Sequence, residues 1–343
     1  MKNIKDLSFE QLEEEMLLIG EKKFRAKQIY KWIHSGARSF DDMTDISLNL
    51  RELLKTHYDL CVFSIKAKQT SSDGTVKYLF ELSDGNTIES VVMRYKHGNS
   101  ICISTQIGCK MGCKFCASSK VNFIRSLSAG EIEEQVLAAT VDLNEKISNV
   151  VYMGIGEPFD NYDNVIQSIK LLNSPMGLNI GGRHISISTS GLVPKILQFA
   201  DENLQSTLSI SLHAPNDEIR SSMMPIDDVY PIKELIAACK TYIEKTNRRI
   251  TFEYAMVNGV NDTKECADEL CKLLKGMLCH VNLIPINKIK GGTYTKSDPK
   301  SIQLFMDTLN KRGITTTVRR ELGSDIEAAC GQLRRNRLPK EEA

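Results

Sequence analysis

The chain has little charge of either sign to spare. Its 343 residues carry 44 Lys and Arg against 43 Asp and Glu, a formal net charge of +1. That balance does not announce a nucleic-acid binder, so the distribution of charge matters more than its sum. There is also no run of about 18 apolar residues, which leaves no transmembrane span. Residues 1–15 are charged and lack an apolar stretch, so no secretory signal is expected and a cytoplasmic location is. No internal repeat or low-complexity tract stands out. With 41% hydrophobic and 25% charged residues, disordered and collagen-like classes are excluded and a real core can be buried. At roughly 150 residues per domain, the length suggests about two domains, or one large α/β domain with an appendage.

What the chain does have is cysteine. Ten are present, at 61, 102, 109, 113, 116, 239, 266, 271, 279 and 330. A cytoplasmic compartment keeps thiols reduced, so stable disulfides do not explain them. Three crowd into positions 109–116.

Hydrophobic periodicity divides the chain into stretches. Residues 1–60 read as helical: Phe9, Leu12, Met16, Leu17 and Ile19 recur at helical spacing behind Ser8, a plausible N-cap. A second helix over 24–34 mixes Lys22, Lys23, Arg25, Lys27 and Lys31 with Phe24, Tyr30 and Trp32. A third is expected over about 49–58. From 63 to 93 the period changes to two, with Asp73-Gly74 and Asp84-Gly85 as hairpin turns, which predicts a short β linker region. From residue 100, strands expected at 101–106, 150–154, 184–189, 207–212, 250–256 and 280–284 alternate with helices at 129–143, 162–172, 192–200, 231–245, 263–274 and 299–311. Six βα units imply a parallel sheet, and their length suits a partial open barrel better than a closed one of about 250 residues. A doubly wound open sheet is the competing reading. In either fold, function sits at the carboxyl ends of the strands, so the chemically unusual residues should gather there.

They do. Just past the first strand comes Cys109-Lys-Met-Gly-Cys113-Lys-Phe-Cys116. Three soft thiolates on one short loop suit iron–sulfur or zinc. Structural zinc normally wants four ligands in two C-x2-C pairs, and no second pair exists; Cys266 and Cys271 are too far apart for one clamp. Three thiolates would leave one iron of a four-iron cluster open to a reactant. The bland alternatives are a zinc site completed elsewhere, or incidental thiols. The loop and its spacing resemble those of the radical S-adenosylmethionine (SAM) enzymes, Phe115 included. The second strand ends in Met153-Gly-Ile-Gly-Glu157-Pro158, which resembles the Gly-Glu-Pro motif of that superfamily. Alone, Gly-Glu-Pro is an ordinary turn.

The resemblance extends to RNA adenine methyltransferases of the RlmN/Cfr type across nearly the whole chain. It is carried by Cys102 in Ser100-Ile-Cys-Ile-Ser, by Cys330 in Asp325-Ile-Glu-Ala-Ala-Cys-Gly-Gln-Leu, and by four further segments. Those are 182–194, Ser211-Leu-His-Ala-Pro-Asn-Asp-Glu-Ile-Arg220, Met224-Pro-Ile, and Val281-Asn-Leu-Ile-Pro-Ile-Asn287. Adenine carbon 2 lies between two ring nitrogens and is electron-poor, so polar methyl transfer onto it fails. The resemblance implies a radical route using two SAM molecules per turnover. One methylates Cys330; the second, cleaved at a [4Fe-4S] cluster on Cys109, Cys113 and Cys116, supplies a radical that removes hydrogen from the S-methyl group. The methylene then adds to adenine, and Cys102 attacks the Cys330 sulfur, releasing RNA and leaving a transient disulfide. By the same resemblance Glu89 is the acid/base near the adenine. Gly156, Glu157, Ser188, Ser211, Leu212, His213 and Asn287 would contact SAM. Without it, Cys102 reads as a core cysteine, Glu89 as strand decoration and His213 as a structural histidine.

The expected organisation is an α/β fold, a partial (βα)6 radical SAM barrel. It comprises a helical accessory RNA-binding domain at 1–60, a β-hairpin linker at 61–98, the barrel at 99–320 and a tail at 321–343 with the carrier cysteine. The partners implied are 23S rRNA and tRNA, together with a flavodoxin- or ferredoxin-like reductant and no membrane; the enzyme is expected to act as a monomer. The basic helix at 24–34 and Arg334, Arg335, Arg337 and Lys340 are candidate phosphate contacts, or simply solvated faces. Because the target atom is on a base edge, a loop adenosine that unstacks cheaply is the expected substrate. Pro158 and the stretch from Arg319 lean towards carbon 2. The rivals are a Cfr-like carbon-8 enzyme conferring antibiotic resistance, another radical SAM activity such as lyase activation, and a non-catalytic iron–sulfur electron carrier.

Overall fold

The period-two alternation between residues 63 and 93 becomes three strands: β1 (Ser64–Thr70), β2 (Val76–Glu81) and β3 (Thr87–Tyr95). They pair antiparallel, and β3 pairs antiparallel with β4 (Gly98–Cys102). Then come β5 (Ile147–Tyr152), β6 (Ile185–Thr189), β7 (Thr207–Ser211), β8 (Ile250–Met256), β9 (Cys279–Pro285) and β10 (Thr316–Val318). From β4 to β10 every neighbouring pair is parallel. One ten-stranded sheet therefore runs in chain order from β1 to β10. The computed structural model describes residues 1–287, 289, 291–329 and 331–333.

Helices join the parallel strands: α4 (Ala129–Leu143), α5 (Tyr162–Asn173), α6 (Val193–Ala200), α7 (Asp217–Met223), α8 (Ile232–Thr246), α9 (Lys264–Leu273) and α10 (Pro299–Lys311). Counting α7 and α8 as one crossover gives six βα units and a closing seventh parallel strand, the partial barrel expected. Ile101, Val150, Ile187, Ile210, Phe252 and Val281 point outward into one continuous core with the helices, which Val76, Tyr78 and Phe80 of β2 and Ile88 and Val92 of β3 join. The hairpin stretch thus extends the barrel sheet and shares its core. Its opposite face, carrying Lys77, Glu89, Val91 and Met93, is turned to the barrel interior by the two-residue alternation.

The first strand is shorter than its apolar pattern suggested. After Cys102 the chain leaves the ladder, because Gln135 of α4 takes over Ser104: its amide oxygen accepts the Ser104 N–H at 2.8 Å and its NH2 donates to the Ser104 carbonyl at 2.9 Å. Gln106–Ile107 then pairs with Arg125–Ser126, bracketing the cysteine loop at its base.

Residues 1–60 contain α1 (Phe9–Leu18), α2 (Phe24–His34) and α3 (Leu48–His57). Ser8 closes a capping box with Gln11, and Ser47 caps α3. These helices bury their own core around Leu12, Met16, Ile29, Ile33, Phe40 and Leu54. They dock on the start of α4 through polar contacts: the Lys5–Glu134 ion pair, His34 against Glu133 at 3.1 Å, and the Gly130 N–H donating to Asp6 at 2.7 Å.

Candidate active site

A cavity of about 170 Å³ opens at the carboxyl ends of the parallel strands. Cys109, Cys113 and Cys116 form one wall of it; Gly156, Glu157, Ser188, Ser211 and His213 form the facing wall. The cysteine loop turns tightly at Gly108, whose φ of +82° and 2.3 Å clearance from the Asn122 carbonyl leave no room for a side chain. Burial pushes the Cys109 thiol up to about 12 and raises the Cys113 thiol well above its ordinary value. Three soft thiols on one wall are a donor set that suits iron or zinc, whose positive charge would hold such buried sulfurs as thiolates.

The wall opposite is braced from behind. Gly156 has φ +104°, and a Cβ there would sit 2.6 Å from Gln106, so only glycine lets the backbone pass beside the cavity. Glu157 is buried, with one oxygen accepting the Phe159 N–H at 3.0 Å and the other the Ser190 N–H at 2.7 Å. Burial raises its pKa, and these backbone bonds oppose the rise. The carboxylate thereby ties the end of β5 to the end of β6. Ser188 and Ser211 present hydroxyls 3.4 Å apart. His213 sits in the left-handed region at φ +59°. Its Nδ1 accepts the Ala255 N–H at 2.9 Å, and burial, helped by Arg220, pushes its pKa down to about 3. It is a neutral ring packed edge-on against Phe115 at 4.9 Å. Leu212 differs from the rest: its side chain lies in the helix-side core, leaving only its backbone near the site.

A second cavity adjoins the first, with Cys116, Met153, Gly154, Ile284, Arg319 and Gly331 lining both. Cys102, Val91, Met93 and Asn287 line this second chamber, together with Ala329 and Gly331. Cys102 is directly opposite Val91 in the β3–β4 ladder. Cys330 itself lies outside the described residues, as do Arg334, Arg335, Arg337 and Lys340. Both neighbours of Cys330 nonetheless face the chamber that Cys102 lines. The C-terminal segment is pinned to the cysteine loop, where the Gly331 carbonyl accepts from Ala117 N–H at 2.8 Å and the Leu333 carbonyl from Ser118 at 2.7 Å. Glu89 is buried on the same inner face, with the Lys77 ammonium 3.8 Å away. No disulfide joins two of the nine described cysteines.

Residues 103–274 match the family model described as the radical SAM superfamily, and residues 2–60 match the ribosomal RNA large subunit methyltransferase N-terminal domain. A probable dual-specificity RNA methyltransferase RlmN from Clostridium novyi is 58% identical, with 98% of each chain covered. One of the same description from Caldanaerobacter subterraneus subsp. tengcongensis is also 58% identical, covering 98% of this chain and 99% of its own. The chain belongs to the RlmN family. A crystal structure of a radical SAM methyltransferase from Sphaerobacter thermophilus superimposes with TM-score 0.94 at 43% identity, covering 97% of this chain and 99% of the other.

Two buried residues that brace this site escaped the sequence reading. Arg220 is fully buried; it pairs with Asp227 at 2.7 Å and donates to the carbonyls of Ser190 at 2.7 Å and Leu212 at 3.2 Å. Asn261 is buried too, donating to the carbonyls of His213 at 2.7 Å and Ala255 at 2.6 Å. Together they lock the strand ends on which Ser211 and His213 stand. The signal for Arg220 was present in its closeness to Asp227 in sequence, but a nearby charge pair reads as surface until burial is known. The basic helix α2 exposes Lys27 and Lys31, and Lys22 and Lys23 just before it are exposed as well, with Phe24 53% exposed and the Arg25 guanidinium 4.8 Å from its ring centre. No described helix is long and apolar enough to cross a membrane.

Proposed function

We propose that this RlmN-family methyltransferase methylates carbon 2 of an adenine in 23S rRNA and of the adenine 3′ of the anticodon in tRNA. The observation that carries the reading is the meeting of two chambers. One is walled by the three cluster cysteines and the Gly156–His213 arc; the other is lined by Cys102 and by both neighbours of Cys330. Cys109, Cys113 and Cys116 would hold a [4Fe-4S] cluster, which when bound supplies the electron for reductive cleavage of SAM. Glu157, Ser188, Ser211, His213, Asn287 and the backbone at Gly156 and Leu212 orient SAM against it.

The remaining steps fall to the chain's own thiols and carboxylate. The Cys330 thiolate attacks the methyl carbon of one SAM, and S-adenosylhomocysteine leaves. A second SAM is consumed to remove one hydrogen from that S-methyl group, and the carbon adds to the adenine. The adduct gives back the one electron spent in SAM cleavage and loses the ring proton. Glu89 handles the proton at the adduct. The Cys102 thiolate then attacks the Cys330 sulfur; the S–C electron pair stays with the carbon, which is protonated to a methyl group, and a disulfide is left for thiol reductants. The 1–60 domain supplies a basic, aromatic surface for phosphate and base, the 61–98 strands one wall of the chamber, 99–320 the barrel, and 321–343 the carrier segment. A cytoplasmic monomer served by a flavodoxin- or ferredoxin-like reductant completes the reading.

Nucleoside mass spectrometry on RNA treated anaerobically with the reconstituted enzyme and SAM tests it. 2-Methyladenosine is the expected product. 8-Methyladenosine would move the chain to the carbon-8 branch, and reductant-dependent SAM cleavage without any methyladenosine would refute the RNA substrate.

A further inference from the structure

The inner face of the antiparallel strands carries one more charged side chain that the mechanism does not use. Lys77 of β2 lies opposite Val91 of β3, and Val91 lies opposite Cys102 of β4, so the three form a row across the sheet. Glu89 is on the same face, two residues along β3. Lys77 is only 8% exposed. An ammonium so buried requires partners, because its desolvation is otherwise strongly unfavourable. Two are present: the Glu89 carboxylate at 3.8 Å, and the Glu327 carbonyl, to which Nζ donates at 3.4 Å. Glu327 is three residues before Cys330 and takes a left-handed φ of +51°, unusual for a non-glycine residue.

The contact to Glu327 belongs to a clasp. The turn between β1 and β2 and the C-terminal segment exchange carboxylates: Asp73 accepts the Gly323 N–H at 2.9 Å, while Asp325 accepts from the Ser71 hydroxyl at 2.6 Å and the Ser72 N–H at 3.1 Å. At its other end the segment is held by the cysteine loop through Gly331 and Leu333. Lys77 is thus the point where the clasped segment and Glu89 share one side chain.

We propose that Lys77 is a positioning residue for methyl transfer, holding the Glu89 carboxylate and the Cys330-bearing segment in register so that both address the same adenine. The inference rests on the acid/base and carrier roles proposed above. A cation beside Glu89 restricts its rotamers, and the bond to the Glu327 carbonyl references that orientation to the carrier segment.

The test uses full-length reconstituted enzyme with SAM, reductant and substrate RNA. It reads S-methylation of Cys330 by peptide mass spectrometry and single-turnover transfer to RNA separately. Lys77→Gln is expected still to methylate Cys330 but to transfer roughly 10- to 100-fold more slowly, part of the 10²–10⁴ that a positioned acid/base contributes. Lys77→Arg keeps charge and reach and is expected to recover most of the rate. Lys77→Gln combined with Glu89→Gln is expected to be no slower than Glu89→Gln alone, because groups acting as one unit are not additive. Wild-type transfer by Lys77→Gln, or additive costs in the double variant, would overturn the inference. If Lys77→Gln fails even to methylate Cys330, Lys77→Arg decides, and slow transfer from its methylated Cys330 is then the contradicting result. Wild-type transfer by Glu89→Gln would instead remove the acid/base role on which the inference stands.

Discussion

The parallel and antiparallel halves of the sheet are hydrogen-bonded into one surface, yet they build their walls of the site differently. On the parallel side, strand ends are locked by buried polar groups that satisfy backbone atoms: Glu157 on Phe159 and Ser190, Arg220 on Ser190 and Leu212, Asn261 on His213 and Ala255. What faces the cavity there is backbone, hydroxyls and a neutral ring, an environment for holding a small polar cofactor still. On the antiparallel side, β2 to β4 present a lysine, a carboxylate and a thiol directly from strand positions, with a C-terminal segment clasped across them. Under the proposed function this becomes a division of labour: the parallel half would position SAM, and the antiparallel half with its clasped segment would determine what happens to the methyl group.

The largest effect should come from the wall shared by both halves. Cys109→Ser is expected to abolish both SAM cleavage and RNA methylation; retention of either, assayed as 5′-deoxyadenosine and methyladenosine, would show that the loop does not hold the cluster. The parallel half should next prove fragile in stability. Arg220→Met leaves Asp227 as an unpaired buried charge and strips donors from the Ser190 and Leu212 carbonyls, a loss of about 3–5 kcal/mol in urea unfolding. A change near zero would mean the strand ends do not depend on that lock.

The smallest effect lies outside both halves, where the helical domain docks on α4. Burial alone would depress the His34 pKa, but Glu133 at 3.1 Å outweighs it and raises the value above 6.5. A group whose folded pKa is raised stabilises fully below its unfolded pKa, and that contribution is lost as pH rises through the folded value. The thermal midpoint should therefore fall on the alkaline side more steeply for the wild type than for His34→Gln. Equal slopes would contradict a charged pair at this contact.

Much of the parallel half was legible in sequence, because 3.6-residue and two-residue periods alternate cleanly and C-x3-C-x2-C has few other uses. The last four residues of the expected first strand, 103–106, were misread because Gln135, in a helix some thirty residues later, captures Ser104. The hairpins at 64–95 were legible as strands but not as a wall of the barrel, since Asp-Gly turns reveal pairing within a hairpin and nothing about the next sheet. Glu89 and Lys77 show the cost of that gap. Glu89 alone reads as strand decoration, nothing in the sequence singles out Lys77, and only the β2–β3 register brings them together. Leu212 was expected among the SAM contacts, but alternation turns its side chain to the core while Ser211 and His213 face the cavity.

The division between the halves is tested most directly by Cys102→Ala, which alters the antiparallel wall and leaves every cofactor-side residue in place. Incubated with SAM, reductant and RNA, this variant should still cleave SAM and should accumulate a protein–RNA crosslink that survives denaturation, with little free methylated RNA. Free methyladenosine released at the wild-type rate, with no crosslink, would contradict the account.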